Sequence, residues 1–219
     1  MWRFIFWPVL LILGLSTFQI HVEACSCASQ HPQTHYCEAD FVVVVRIKKF
    51  SEMNDHESAY KVKIHKIFKA TSKAEVALEE QLLWTASMGS MCGRENMKPG
   101  ETWVVTGQIS GGKPRISLCN LAMRWSEVTA RQRKGFRGLY HRGCVCQIVY
   151  TPWLRKGAVF KTAGKRCLWE SAPGPFDCQE QYGVCMLRST GCLWELSPAY
   201  KRCIIQHQRL REQQRAREP

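Results

Sequence analysis

The sequence predicts a mainly β chain: a small closed or nearly closed five-stranded barrel with flanking helices, then a small disulfide-rich β module. Three observations carry that prediction. Short β-branched or alternating runs recur between turn residues over residues 39–118. Helical spacing flanks those runs, at residues 32–39 and 125–136, instead of alternating with them. Six of the twelve cysteines fall in residues 145–219, amid few long apolar runs, which marks a unit unable to rely on its core alone.

A leader comes first in the chain. Trp2 and Arg3 precede a mostly apolar run over residues 4–18 that closes on Val22-Glu23-Ala24, a secretory signal with cleavage expected after Ala24. Pro8 and the shortness of the run disfavour a membrane anchor, and no later segment is apolar enough to span a bilayer. The expected product is soluble, secreted to the extracellular space or matrix, and begins at Cys25. Cysteines stand at 25, 27, 37, 92, 119, 144, 146, 167, 178, 185, 192 and 203. An even count in an oxidising compartment reads as six disulfides. Zinc ligation by these thiols is the competing reading. Cys25-Ser26-Cys27 and Cys144-Val145-Cys146 lack the two-residue gap usual in structural zinc sites, and export disfavours it.

Pro32 suits a first helical position, so a short helix is expected over residues 32–39. Phe41-Val42-Val43-Val44-Val45 and Ile47 lie in a run (39–50) suited to a buried strand. Residues 51–58 are polar and acidic, an exposed hairpin loop. Tyr60, Val62 and Ile64 alternate with Lys61, Lys63 and His65 in a strand with one wet face. Further strands are expected at 81–86, 102–109 and 115–118, with turns at Lys98-Pro99-Gly100-Glu101 and Gly111-Gly112. Trp125, Val128, Gln132 and Phe136 fall at helical spacing with Ser126 available as a cap. Five short strands so flanked predict an oligonucleotide/oligosaccharide-binding-type barrel over residues 25–144. Residues 145–219 form the second unit. In it, Cys167-Leu168-Trp169-Glu170 recurs as Cys192-Leu193-Trp194-Glu195, too short a match to establish a repeat. The tail after Cys203 is polar and charged, frayed or helical.

The chain carries 31 Lys and Arg against 18 Asp and Glu, a formal charge of +13. A basic secreted protein commonly meets polyanions such as sulfated glycosaminoglycans or anionic membrane surfaces, although solubility alone accounts for the charge equally well. Clusters stand at Arg131–Lys134 with Arg137, at Arg155, Lys156, Lys161, Lys165 and Arg166, and along residues 209–217, where Glu212 and Glu218 intervene. Nucleic-acid binding needs interleaved aromatic stacking positions and is not expected. Enzyme chemistry finds no footing: there is no Gly-x-Ser-x-Gly, phosphate loop or His-Glu-x-x-His. His31 and His35, four apart, present a possible metal pair, but such a pair is more often packed or solvated surface.

The most informative stretch is Cys25-Ser26-Cys27-Ala28-Ser29-Gln30-His31-Pro32-Gln33, continuing through Cys37 and Ala39-Asp40. It resembles the N-terminus of the tissue inhibitors of metalloproteinases. Val45-Arg46-Ile47-Lys48, Cys92-Gly93, the segment from Gly135-Phe136 through Tyr140 to Gly143-Cys144, and Cys-Leu-Trp at 167–169 and 192–194 extend the resemblance over residues 25–203. The resemblance implies a netrin-type barrel in a monomer that binds a zinc metalloproteinase, of matrix or disintegrin type, one to one. It also implies a mechanism: the free amine and carbonyl of Cys25 chelate the protease's zinc and displace the attacking water, with no cofactor of the inhibitor's own.

The resemblance further implies a ridge of Cys25, Ser26, Cys27, Ala28, Ser29, Ser90, Met91 and Cys92, and disulfides Cys25–Cys92, Cys27–Cys119, Cys37–Cys144, Cys146–Cys192 and Cys167–Cys185. Cys178–Cys203 is then the remaining pair. Two residues depart from the family's pattern: Ser29 stands where Pro is common, and Met91 is bulkier than the usual small aliphatic residue. Two other readings remain at this point, a netrin-type matrix-binding module that inhibits nothing and a cysteine-rich host-defence or signalling protein acting through charge.

Overall fold

The computed structural model describes residues 25–151, 164–169, 174 and 176–217; the expected leader and the cations Arg155, Lys156 and Lys161 lie outside the described residues. Helix α1, Pro32–Glu38, begins where Pro32 has no N–H to leave unpaired and where His31 Nδ1 accepts from Gln33 N–H at 3.1 Å. Strands β1 (Phe41–Glu52) and β2 (Glu57–Ala70) form a long antiparallel hairpin. Helix α2 (Ser72–Leu78) follows, and then β3 (Leu82–Ala86), β4 (Thr102–Ser110), β5 (Lys113–Arg115) and β6 (Ala122–Arg124). β1 pairs with both β2 and β4, β2 with β3, and β4 with β5, while β3 meets β5 in parallel at Trp84 and Arg115. The order β1-β2-β3-β5-β4 therefore returns to β1 and closes a five-stranded barrel, with β6 added on β4.

Three boundaries differ from the sequence expectation, each for a local reason. The β1–β2 turn is tighter than residues 51–58, because Asn54 Oδ1 accepts from the N–H groups of His56 and Glu57 and reverses the chain in a few residues. β5 ends at Arg115 and not at Leu118, because the carbonyls of Ser117 and Leu118 turn inward to a buried arginine. Helix α3 (Ala130–Lys134) is capped by Thr129, not Ser126: Thr129 and Gln132 form a reciprocal capping box, while Trp125 N–H still bonds Thr102 O on the sheet side. α3 runs on through a wider turn with a kink at Gly138 into α4 (Tyr140–Gly143).

The C-terminal part contains a parallel pair β7 (Gln147–Tyr150) and β8 (Arg166–Trp169), helix α5 (Cys178–Tyr182), the hairpin β9 (Cys185–Arg188) and β10 (Gly191–Trp194), and helix α6 (Pro198–Arg215). Alternation along β1 sorts the core into two clusters. Phe41, Val43, Val45 and Ile47 point into the barrel with Tyr60, Val62, Leu83, Trp103 and Val105, and Ala74 and Leu78 of α2 join them. Val42 and Val44 point outward, onto Tyr36, Phe136, Tyr140 and, from the C-terminal part, Val184. A third buried cluster consists of Cys146, Cys167, Cys185 and Cys192.

Candidate functional site

All twelve cysteines are paired: Cys25–Cys92, Cys27–Cys119, Cys37–Cys144, Cys146–Cys192, Cys167–Cys185 and Cys178–Cys203. The first five are the pairs the resemblance implies, and the sixth is the pair that remained. The first two draw the extended stretch after residue 24 across two loops, the β3–β4 connection that contains Cys92 and the β5–β6 connection that contains Cys119. Their sequence separations of 67 and 92 make each worth about 4.5 kcal/mol in the chain-entropy account.

Ser26, Cys27, Ala28 and Ser29 are exposed, as are Ser90 and Met91 across from them, while Cys25 and Cys92 are half-buried. The bridge from Cys25 to Cys92 thus brings the two sequence-predicted segments together on one surface.

The 88–92 loop is built from its own backbone. Met91 N–H and Gly93 N–H both donate to Met88 O, and Cys92 N–H donates to Gly89 O, forming one tight turn, Gly89–Met91. Cys92 takes a left-handed conformation (φ 59°). At Gly93 a Cβ would stand 2.3 Å from Ala86 O, so only glycine lets the loop return this close to β3. Ser87, just before the loop, ties it to the β1–β2 tip: its Oγ donates to Asp55 O and its N–H to His56 O.

Sequence reasoning did not single out Arg94. Its side chain is buried, with Nε donating to Ser117 O at 3.0 Å and Nη2 to Leu118 O at 3.0 Å and Asn120 O at 2.9 Å. Its N–H donates to Thr85 Oγ1, and its carbonyl accepts from Tyr60 Oη. Burial lowers its pKa, yet a guanidinium stays charged throughout the working range. The only sequence signal was its position two residues after Cys92.

At the foot of the ridge, His31 and His35 do not form a metal pair. His31 is buried, ringed by Tyr140, Trp169 and Trp194, and its Nε2 faces Gln179 O at 2.9 Å. A carbonyl only accepts, so Nε2 bears the proton and Nδ1 is the acceptor for Gln33 N–H. Burial pushes the pKa of His31 down to about 4; His35 is pushed to about 4 as well, by burial and then by the nearby Arg94 charge. Gln33 is buried beside it: Oε1 accepts from Cys185 N–H, and Nε2 donates to Cys185 O and Gly143 O. Thr129 Oγ1 donates to Gln181 O and Gln132 Nε2 to Glu180 O, and an Arg131–Glu195 ion pair completes the seam between barrel and C-terminal part.

Comparison with known proteins places this arrangement. A family model described as tissue inhibitor of metalloproteinase matches residues 23–194. The tissue inhibitor of metalloproteinase of Drosophila melanogaster is 29% identical over 208 residues, covering 90% of this chain and 93% of that protein. Metalloproteinase inhibitor 3 of Xenopus laevis is 30% identical over 190 residues, and metalloproteinase inhibitor 2 of Cavia porcellus 30% over 205, each match covering 84% of this chain and 86% of the relative. The matched region takes in the tethered stretch at Cys25, the closed barrel and the hairpin through Trp194, and the chain belongs to the tissue inhibitor of metalloproteinase family.

Proposed function

We propose that this protein is a secreted inhibitor of zinc metalloendopeptidases, and that it presents the α-amine and carbonyl of Cys25 to the target's catalytic zinc. The observation that carries this reading is the tethered, exposed ridge: Cys25 and Cys27 are stapled to two loops while Ser26, Ala28, Ser29, Ser90 and Met91 stand open to a partner. The relatives named as metalloproteinase inhibitors support the same class.

Cleavage after Ala24 frees the amine. Its reference pKa of about 7.7–8.0 leaves a useful neutral fraction at physiological pH. An amine and a carbonyl on one residue close a five-membered chelate, and the water that a protease's zinc activates as nucleophile then has no place to sit. The sulfur of Cys25 takes no part, since it is bound to Cys92. The zinc is the protease's own. Because both ridge segments are already held, little conformational entropy is lost on docking. Ser26 follows the chelating residue and enters the main specificity pocket, where its small hydroxyl suits many enzymes. Ser29 and Met91 set preference among them. The complex is one inhibitor monomer to one matrix- or disintegrin-type enzyme.

An extended variant tests the mechanism. With one alanine added before Cys25, the new amine lies away from the zinc, and inhibition of metalloproteinase catalytic domains falls by orders of magnitude. Equal potency of the extended form refutes chelation, and no inhibition by either form refutes the function.

A second reading, binding of sulfated glycosaminoglycans, rests on the outer face of the β1–β2 hairpin. Arg46 is paired directly with Lys63 and Lys49 with Lys61, all four exposed, and none has an ion-pair partner among the described residues. The 131–134 cluster is less available: Arg131 pairs with Glu195, and Arg133 donates to Trp125 O and Val128 O.

A further inference from the structure

A ridge stapled to two loops is only as rigid as the link between those loops. Cys92 and Cys119 stand in separate connections, and the main chain joins them by one hydrogen bond near the staples, Leu118 N–H to Cys92 O at 2.9 Å. The ends of the β5–β6 connection bond the sheet, Ile116 N–H to Trp84 O and Leu121 N–H to Thr106 Oγ1, and its middle bonds within itself: Asn120 Oδ1 accepts from Ser117 N–H and Oγ, and Cys119 N–H donates to Ser117 Oγ. Its carbonyls at 117, 118 and 120 point the other way, toward one guanidinium.

We propose that Arg94 is the positioning residue of the ridge: its buried guanidinium fixes the spacing between the two cysteine anchors and so sets the geometry in which Cys25 and Ser26 meet a protease. This inference rests on the inhibitory reading above. Arg94 is two residues from Cys92 and grips the carbonyls on both sides of Cys119, so each staple ends beside a group that it holds. The same residue is fastened to the barrel wall by Thr85 on β3 and Tyr60 on β2, which refers both anchors to the closed barrel. No carboxylate forms an ion pair with it among the described residues. The guanidinium instead donates to three carbonyls, an arrangement that suits the planar fork of arginine. A lysine in its place keeps the charge but is a single point that cannot span three carbonyls in one plane.

The test uses the mature six-disulfide protein and the variants Arg94→Lys and Arg94→Gln, the second serving if the first fails to fold. Formation of all disulfides is checked by mass. Two readouts are taken: amide hydrogen exchange, and association and dissociation rates with a zinc-loaded matrix-type metalloproteinase catalytic domain. The expected result is local. Amides of Leu118, Cys119 and Gly93 exchange at least about tenfold faster while those of Val43 and Val45 in β1 stay protected. Inhibition weakens by about tenfold or more at unchanged disulfide content.

Unchanged exchange at Leu118 overturns the proposal, and so does looser exchange with undiminished inhibition. Failure of the underlying reading looks different, since the unsubstituted protein itself would then not inhibit. Uniformly faster exchange, including Val43 and Val45, also overturns it, because Arg94 would then be a general core residue.

Discussion

Gln33 does with a side-chain amide what a neighbouring strand does with its backbone. Its oxygen takes the N–H of Cys185 at 2.9 Å and its nitrogen the carbonyl of the same residue at 2.8 Å, with Gly143 O as a second acceptor at 3.0 Å. Space for it exists only because residue 143 is glycine: a Cβ there would stand 2.3 Å from Cys185 O and 2.4 Å from Gln33 Nε2. Gln33→Ala takes the Gln33 partner from the buried N–H and C=O of Cys185 and leaves Gly143 O only the N–H of Cys146, and should cost about 2–4 kcal/mol in denaturant unfolding of the oxidised protein. Gln33→Glu should cost at least as much, since a carboxylate cannot donate to two carbonyls; a loss under about 0.5 kcal/mol in either variant would contradict this account. In the sequence the triplet His31-Pro32-Gln33 stood out as a motif, but the roles of its members were hidden. The partners of Gln33 lie 110 and 152 residues further on, and no local pattern encodes a contact at that distance.

Among the elements, β1 was the most legible. A run of β-branched residues between polar segments needs cover on both faces, and the barrel interior and the α1 side supply it. β5 and α2 were the least legible. β5 is only Lys113–Arg115 and is stopped by Arg94, a tertiary cause; Ser72–Leu78 is a short helix with two buried residues and little apolar periodicity to announce it. Elements also decide where charge can act. Residues 42, 44, 46 and 48 share the outer face of β1. Val42 and Val44 are covered, so Arg46 and Lys48 emerge beside Lys63 of β2 as an uncovered strip. Like charges directly opposite each other destabilise a sheet slightly, and an anion relieves that. Arg46→Ser with Lys63→Ser should therefore elute from a heparin column at distinctly lower salt than the parent, with unfolding stability equal or slightly higher. Identical elution, or release of the parent at very low salt, would count against polyanion binding on this face.

At the scale of the molecule, the barrel and the C-terminal part meet through buried polar groups as well as Val184, and one of those groups titrates. His31 is neutral in the fold with a pKa of about 4 against an ordinary 6.5, so the unfolded chain takes up protons first as pH falls. Its contribution is complete above about pH 6.5 and is lost as pH drops toward 4, on the order of 3 kcal/mol, with His35 acting in the same direction. Denaturant unfolding at pH 7, 5.5 and 4.5 should show that decline. His31→Gln, which retains a donor and an acceptor but does not titrate, should flatten it in part, and an equally steep variant would exclude His31 as its source.

Barrel closure has one further consequence, for the main chain outside it. β1, β2, β3, β4 and β5 satisfy one another's edges, whereas residues 26–30 make no backbone-to-backbone hydrogen bond among the described residues. The stretch held by the staples is thus exposed backbone without main-chain partners among the described residues. That is the form in which a peptide adds as an extra strand to another protein's exposed sheet edge. The bridges at Cys25 and Cys27 anchor it to two loops of the barrel while it stays unpaired.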